Sequence, residues 1–336
     1  MIAERLTAGA PSHVAEPEAL PGERVVCNEN WQQIAAPSLS VLVPNYRDRP
    51  AKLLEALSDC IAADQIEVVI YDDGSDMQDL TEETVVAVQQ FRGAACLISA
   101  SENRGRAFGR NRLEHVARSD WMVFLDADMV PDDASFLQRY IEHIQSDARP
   151  ALVVGGFSLQ QAKETHANEL HWAQCEVSEC LPASERAQNP GRFVFTSNVL
   201  VHKQIMSDVP FDTAFSGWGW EDVDWGLRAA ERFPVHHIDN TATHLGLDTP
   251  DVLLKKYGQS GRNFWLAAHR HPDALKDTSL YRLAGFLAPF PGKSLLAALA
   301  SMTARLPGWS MPKSIRLFAL KLYRATVYAE AAHEQS

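Results

Sequence analysis

The sequence has no long hydrophobic run. In a chain of 336 residues that is 46% hydrophobic, no apolar stretch approaches the roughly 20 residues that a helix needs to cross a bilayer. Near the start, Glu4 and Arg5 stand where a signal peptide would need an apolar core. The composition suits a folded enzyme rather than a disordered chain. We therefore expect a cytoplasmic protein with one large domain or two modest ones.

Cysteine is scarce and has no pairing pattern. The chain has five cysteines, an odd number, and no C-x-x-C pair. A disulfide framework is therefore not expected. A zinc site formed by His171, Cys175 and Cys180 is a weaker alternative to buried free thiols.

One segment lacks acidic residues altogether. Residues 278–329 carry seven Lys or Arg and no Asp or Glu, whereas residues 1–277 carry 24 basic and 41 acidic residues. The acidic body argues against nucleic acid as a partner, because binding phosphates requires positive charge. The basic tail suggests a different partner for that part of the chain.

The end of this basic segment has a helical charge pattern. At 100° per residue, four basic side chains fall within an arc of about 140°: Lys313, Arg316, Lys321 and Arg324. Ile315, Phe318 and Leu322 lie on the other side. Two interpretations stay open, namely a helix lying on an anionic membrane surface and a helical subdomain packed against the acidic body.

The middle of the chain alternates between two patterns. Residues 1–37 are predicted to be an N-terminal arm or a loosely packed lead-in. After them, short apolar runs at 39–43, 67–71, 95–99 and 121–125 alternate with helical patterns near 50–62, 78–91, 105–118 and 133–146. The runs lack polar alternation, as expected for parallel strands covered on both faces. The fold class is therefore predicted to be α/β, with a doubly wound, mostly parallel sheet.

Polar motifs follow each of the four predicted strands. They are Pro44-Asn45-Tyr46-Arg47, Asp72-Asp73-Gly74-Ser75, Asn103-Arg104-Gly105 and Asp126-Ala127-Asp128. Ligands of such sheets bind beyond the carboxyl ends of the strands, so four motifs at one edge predict a binding crevice. If extended, Asp126 and Asp128 project from the same face and suit a divalent cation that bridges to phosphate oxygens. The alternative is a solvated acidic turn.

A second motif lies between residues 217 and 224, with the sequence Gly-Trp-Gly-Trp-Glu-Asp-Val-Asp. Indole rings can stack on a sugar, and a carboxylate in the first turn of a helix at 221–232 can act as a general base. The alternative is that the tryptophans fill the core and the acids begin a helix. His244 follows a predicted strand at 235–243 and is a candidate ligand for Mn²⁺.

Taken in this order, the motifs resemble those of family 2 glycosyltransferases with the GT-A fold. The segment from Gly217 to Asp224 is similar to the C-terminal motif of galactosyltransferase-type enzymes. The resemblance covers residues 39 to about 265. It implies a GT-A domain over residues 38–270, with a nucleotide-binding half at 38–130, an acceptor and catalytic half at 131–270, and a helical extension at 271–336.

The resemblance also implies residue roles. The uridine and donor site would include Pro44, Tyr46, Arg47, Asp73, Arg104, Arg110 and Asp126. Asp126, Asp128 and His244 would hold Mn²⁺ or Mg²⁺. Asp222 would be the catalytic base, assisted by Glu221, and the sugar sites would be shaped by Trp218, Trp220 and Asp224.

The implied reaction is a metal-dependent, inverting transfer of a hexose or N-acetylhexosamine from a UDP-sugar to a glycan or lipid-linked acceptor. The chain departs from processive synthases of this family, which carry Gln-x-x-Arg-Trp and membrane helices. Here Gln259-Ser260-Gly261-Arg262 is followed by Asn263. Processive synthesis with secretion is therefore not expected. Two alternatives remain, a sugar nucleotidyltransferase and a catalytically silent UDP-sugar-binding module.

Overall fold

A computed structural model describes residues 14–332. Its strands are β1 Glu23–Cys27, β2 Ser40–Asn45, β3 Glu67–Asp72, β4 Ala94–Ala100, β5 Trp121–Leu125, β6 Met129–Pro131, β7 Leu152–Val154, β8 Phe157–Ser158, β9 Asn198–His202, β10 Val235–His237 and β11 Ala242–His244. The helices up to residue 230 are α1 Asn30–Gln33, α2 Ala51–Asp59, α3 Gln78–Gln90, α4 Arg106–Val116, α5 Phe136–Ser146, α6 Glu169–Ser178, α7 Ala183–Arg186, α8 Lys203–Asp208 and α9 Glu221–Ala230. The later helices are α10 Pro250–Gln259, α11 Gly261–Arg270, α12 Pro272–Leu275, α13 Ser279–Leu287, α14 Lys293–Arg305 and α15 Lys313–Ala331.

Eight strands form one central sheet in the order β1-β4-β3-β2-β5-β9-β7-β10. The four predicted strands, β2 to β5, run parallel to one another. Their residues are buried on both faces, as the unbroken apolar runs indicated. The α/β prediction is confirmed, with β1 and β9 as antiparallel additions that the sequence pattern did not reveal.

The N-terminal arm is more ordered than predicted. β1 pairs with β4 at the edge of the sheet, and the Trp31 indole is almost fully buried. The Arg118 guanidinium lies 3.8 Å from the centre of the Trp31 ring. The Arg112 guanidinium forms an ion pair with the buried Glu23 carboxylate at 2.8 Å. These contacts explain why the prediction of a loosely packed lead-in was wrong for residues 23–33.

A second, three-stranded sheet in the order β6-β11-β8 places His244. The predicted strand at 235–243 is split into β10 in the large sheet and β11 in the small one. The Asn240 side chain donates a hydrogen bond to the Phe136 carbonyl at 3.1 Å, which fixes the crossing between them. Because β11 pairs antiparallel with β6, His244 lies opposite Met129. His244 thus comes next to Asp128.

The C-terminal helices pack against the body through their basic side chains. Arg316 is buried and forms an ion pair with Glu169, and Lys313 pairs with Glu164. The Arg324 guanidinium lies 4.7 Å from the centre of the Tyr257 ring. Between residues 14 and 332, no helix combines the length and apolarity needed to cross a bilayer. Arg316 and Arg324 of the predicted basic arc therefore face the protein, whereas Lys321 is exposed and Lys313 is partly exposed.

Candidate functional site

The polar motifs at the ends of β2, β3 and β4 form one loop system. Both Asp73 carboxylate oxygens accept hydrogen bonds from backbone amides, those of Arg104 and Gly105, at 2.7 and 2.8 Å. The Arg47 amide donates a hydrogen bond to Ser75 Oγ at 2.7 Å. Asp73 therefore shapes the loop before α4.

The predicted uridine contacts differ in how accessible their side chains are. The Arg104 guanidinium donates a hydrogen bond to the Pro21 carbonyl at 3.0 Å and lies over the Phe108 ring, so it is tied to the N-terminal segment. Tyr46 and Arg47 are exposed and stack on each other, with 5.1 Å from the guanidinium carbon to the ring centre. Pro44 is half-buried at the end of β2. Tyr46 and Arg47 thus remain accessible at the mouth of the crevice.

Asp126 and Asp128 lie in a turn between β5 and β6. The Met129 amide donates a hydrogen bond to the Asp126 carbonyl at 3.0 Å, so the segment is not extended as the prediction assumed. Both carboxylates stay partly exposed at the sheet edge. Asp48 is a third acid here that sequence reasoning missed. Desolvation, followed by the Asp128 and Asp126 carboxylates, raises the pKa of Asp48 to about 6.

His244 and Asp128 form a close pair. His244 Nε2 lies 3.2 Å from Asp128 Oδ2. Burial alone would lower the pKa of His244, but the Asp128 carboxylate outweighs it and raises the pKa to about 9. Gly246 lies against this pair, since a Cβ at that position would come within 1.9 Å of Asp128 Oδ2. Only glycine at position 246 leaves room for Asp128 in this position. The sequence signal for this contact is Gly246 itself, two residues after His244.

The loop before α9 has an unusual backbone. Gly217, Gly219 and Trp220 have φ angles of 77°, 88° and 75°. For a residue as large as Trp, this left-handed conformation is rare and is maintained only by surrounding contacts. Trp220 Nε1 donates a hydrogen bond to the Tyr328 hydroxyl at 3.0 Å, and its ring packs on Phe264. The turn directs the start of α9 toward the crevice.

Both tryptophans of the motif pack against other aromatic side chains. Trp220 packs into the cluster of α11 and α15, and Trp218 packs on Tyr257 at 5.6 Å between ring centres. Lys256 Nζ lies 5.9 Å from the centre of the Trp218 ring. The interpretation of these indoles as core residues therefore agrees with the structure better than open sugar platforms do. Both side chains keep partial exposure.

A buried arginine connects the two acidic motifs. Arg110 Nη1 lies 3.2 Å from Glu221 Oε1, and Arg110 Nη2 lies 4.0 Å from Asp126 Oδ1. Arg106, one helical turn earlier on α4, reaches Glu221 Oε1 at 3.8 Å. Burial alone would raise the pKa of Glu221, but the two guanidinium groups lower it below its ordinary value. Glu221 is therefore ionised, and Arg106 is a crevice residue that sequence reasoning missed.

Asp222 differs from Glu221 in having no ion-pair partner of this kind within the described residues. Its carboxylate accepts a hydrogen bond from the Val223 amide at 2.9 Å. Desolvation, followed by the negative charge of Glu221, raises the pKa of Asp222 to about 7. A carboxyl group with this pKa can accept a proton at neutral pH.

Asp224 does not reach the crevice, contrary to the prediction that it contacts a sugar. Its side chain is fully buried, and its oxygens lie 2.8 Å from Arg228 Nε and 3.0 Å from His271 Nε2. Arg270 Nη1 is also within 3.3 Å. Asp224 lies on the opposite side of α9 from Asp222. It joins α9 to α11 through Arg270.

Several buried polar atoms around this edge lack partners. They are both side-chain atoms of Asn45, Arg110 Nε, Glu221 Oε2 and His244 Nδ1. Buried polar groups are normally hydrogen-bonded, so their concentration here is typical of a binding site. The oxygen atoms of Asp126 and Asp128 and the imidazole of His244 are of the kinds that bind Mn²⁺.

A second group of potential metal ligands lies next to His244. Ligand atoms of His171, Cys175, Glu179 and His244 all lie within 4.8 Å of one another. The weaker zinc alternative named Cys180, which is not part of this group. His171 Nδ1 already accepts a hydrogen bond from the Asp248 amide at 2.6 Å. All five cysteines are free.

The comparison with known families agrees with this geometry. Residues 40–200 match the family model described as glycosyl transferase family 2. This stretch is therefore similar to family 2 glycosyltransferase domains. It contains the whole crevice edge from Asn45 to Asp128, while the segment from Gly217 to Asp224 and His244 lie outside the match.

Curated relatives carry similar names. An uncharacterized glycosyltransferase of Bacillus subtilis (strain 168), YfnE, is 33% identical over 244 residues, which cover 56% of this chain and 59% of that protein. Chondroitin synthase of Escherichia coli is 25% identical over 235 residues, covering 59% of this chain and 33% of that protein. The chain thus spans about three fifths and one third of these relatives.

A solved structure confirms the fold. The mannosyltransferase PcManGT from Pyrobaculum calidifontis, determined in complex with GDP-Man and Mn²⁺, superposes with a TM-score of 0.54 at 16% identity. The match covers 90% of this chain and 88% of that one. The chain therefore has the GT-A fold, followed by C-terminal helices.

Proposed function

We propose that this protein is a metal-dependent, inverting glycosyltransferase. It moves a hexose or N-acetylhexosamine from a UDP-sugar to a glycan or lipid-linked glycan acceptor. The single observation that carries the proposal is the Arg110 bridge, because it joins the Asp126 edge of the sheet to the start of α9, where Asp222 lies. The transferase unit is residues 38–270, and residues 271–336 are its extension.

The donor site is proposed at the strand ends. Asp126, Asp128 and His244 hold Mn²⁺ or Mg²⁺, supported by the 3.2 Å spacing between His244 Nε2 and Asp128 Oδ2. When bound, the cation would screen the charge of the pyrophosphate and stabilise it as UDP departs. Tyr46 and Arg47 contact the nucleotide from the crevice mouth, and Asp73 fixes the loop that borders it. Arg106 and Arg110 add positive charge beside the phosphates.

The chemical step is proposed at Asp222. Its carboxylate takes the proton from the acceptor hydroxyl as the hydroxyl oxygen forms a bond to the anomeric carbon. The bond from that carbon to the β-phosphate oxygen breaks at the same time, and UDP leaves with both bonding electrons. Burial, together with the negative charge of Glu221 that Arg110 holds ionised, raises the pKa of Asp222 to about 7. One displacement on one face inverts the anomeric configuration.

The test must distinguish this function from its two alternatives. The protein is incubated with UDP-sugars and Mn²⁺, with GDP-mannose as a comparison donor, and separately with UTP and sugar 1-phosphates. Release of UDP together with a glycosylated acceptor supports the transferase. Release of pyrophosphate from UTP indicates a nucleotidyltransferase, and binding of a UDP-sugar without any release indicates a silent binding module.

A further inference from the structure

The C-terminal helices carry most of the exposed large hydrophobic side chains. Of sixteen such side chains between residues 14 and 332, ten lie between Leu283 and Phe318. Single exposed apolar residues are ordinary on protein surfaces, but a concentration of them marks an interaction site.

Helix α14 buries its small residues and exposes its large apolar ones. Its buried positions are all small, namely Ala297, Ala300 and Ala304. Its large residues point outward, with Leu295, Leu299 and Met302 exposed by 67, 53 and 63%. At 100° per residue these three lie within an arc of about 60°, opposite the alanines. A helix that only packs on a core buries its large residues instead, so this pattern is typical of a face that contacts a partner outside the chain.

The segments next to α14 in the chain also expose large apolar side chains. Phe286 on α13 is 77% exposed, Phe290 follows that helix, and Trp309 between α14 and α15 is 90% exposed. Indole and phenyl rings are favoured at the boundary between lipid headgroups and acyl chains. The outer face is defined here as Leu283, Phe286, Phe290, Leu295, Leu299, Met302 and Trp309.

The charges around this face identify the class of partner. Residues 278–329 contain no acidic side chain. Arg282, Arg305 and Lys313 keep 67, 46 and 40% of their side chains exposed even though each forms an ion pair, and Lys321 is exposed as well. Their ion-pair partners, Asp277, Asp251 and Glu164, lie outside residues 278–329. The segment itself therefore adds only positive charge to its apolar and aromatic side chains, and this combination matches an anionic lipid surface.

We propose that the outer face docks onto an anionic membrane surface and lies in its interface. Contact through this face needs no spanning segment, in keeping with the absence of a spanning helix among the described residues. The proposal differs from the basic-arc interpretation of α15, because Arg316 and Arg324 face the body. It goes beyond the proposed transferase function and does not depend on it.

The test is co-sedimentation of the full chain with lipid vesicles. Phosphatidylcholine vesicles containing phosphatidylglycerol should bind the protein about tenfold more tightly than phosphatidylcholine alone, and added salt should weaken the binding. The triple variant Leu295→Ser, Leu299→Ser and Met302→Ser should bind anionic vesicles about tenfold more weakly or worse. All three positions are exposed, so the fold should persist.

A matched control removes exposed apolar side chains elsewhere. Ile61→Ser, Val86→Ser and Val177→Ser change residues that are 51 to 54% exposed outside the outer face. This variant should bind anionic vesicles as the unchanged protein does. If the protein stays in the supernatant at low salt, or if both triple variants lose binding equally, the proposal is wrong. Self-association that the outer-face variant abolishes, without vesicle binding, would assign the face to a second copy instead.

A single exposed residue provides an independent readout. Trp309 emission should shift to the blue when anionic vesicles are added, and the difference between the unchanged protein and Trp309→Phe isolates this signal among eight tryptophans. An unshifted Trp309 signal at vesicle concentrations that pellet the protein would overturn the assignment of this face. The Trp309 fluorescence readout does not depend on the serine substitutions, so it tests the same face independently.

Discussion

His244 Nε2 lies 3.2 Å from Asp128 Oδ2, although 116 residues separate them in the chain. The pairing of β11 with β6 brings them together, and the absence of a side chain at Gly246 leaves room for the carboxylate. In an octahedral shell with bonds of about 2.1 Å, neighbouring ligand atoms lie about 3 Å apart. The contact is the hydrogen bond of an ion pair, and its spacing would also let both atoms reach one cation.

The first prediction concerns this pair. Asp128→Ala removes a proposed metal ligand, so Mn²⁺ should bind at least about tenfold more weakly and transfer should lose several kcal/mol of transition-state stabilisation. Calorimetric titration with Mn²⁺ measures the first effect and UDP release the second. Asp132→Ala, in the same region but bonded to Thr241 and Thr243, is a control that should keep Mn²⁺ affinity. Equal Mn²⁺ affinity in the Asp128→Ala variant would refute the assignment.

The second prediction concerns Gly246. A methyl group at this position would overlap Asp128 Oδ2, so Gly246→Ala should displace the carboxylate and weaken Mn²⁺ binding. Gly285 is the matched control, because a Cβ there meets nothing within 4 Å. Gly285→Ala should bind Mn²⁺ normally. Equal Mn²⁺ affinity in the two alanine variants would contradict the proposed role of Gly246.

The third prediction concerns the base and its pH dependence. With a pKa of about 7, Asp222 is protonated below neutrality, so turnover should rise with pH up to about 7 and then level off. Asp222→Asn should lower turnover by about 10²-fold or more and remove that pH dependence, while UDP-sugar affinity stays nearly normal. Turnover against pH for both proteins measures this. A variant with the unchanged profile would exclude Asp222 as the base.

The fourth prediction separates Asp224 from Asp222. Asp224 is fully buried among Arg228, Arg270 and His271, so Asp224→Asn should destabilise the fold by about 3 kcal/mol because it leaves the basic groups without their carboxylate. Chemical denaturation measures the free energy of unfolding. At a temperature where the variant is folded, its turnover should stay within a few fold of normal. A stable variant with greatly reduced turnover would place Asp224 in the reaction.

The sequence predicted the parallel centre of the sheet because residues of β2, β3 and β5 are apolar without alternation. It did not reveal β1, since a short edge strand next to Pro and Glu carries no distinctive period. The split between β10 and β11 was also missed. It depends on the side chain of Asn240, which bonds to the Phe136 carbonyl 104 residues away.

Sequence motifs mark candidate residues where the chemistry is local, but not where a residue's position depends on packing. Asp126, Asp128, Glu221 and Asp222 stand at strand or helix ends that motifs mark. Whether an acid faces the crevice or the core depends on tertiary contacts, and for this reason Asp224 was placed wrongly. Asp48 and Arg106 belong to no motif, and only the fold brings them to the carboxylates.

The central claim is that this crevice transfers sugar from a UDP-sugar with Asp222 as base and Asp128 as metal ligand. The most direct measurement is Mn²⁺-dependent UDP release from a UDP-sugar panel, made in parallel on the unchanged protein, Asp222→Asn and Asp128→Ala. We predict release by the unchanged protein with at least one donor, loss of release in excess chelator, and a large decrease in both variants. Release that continues unchanged in chelator and in both variants would contradict the account.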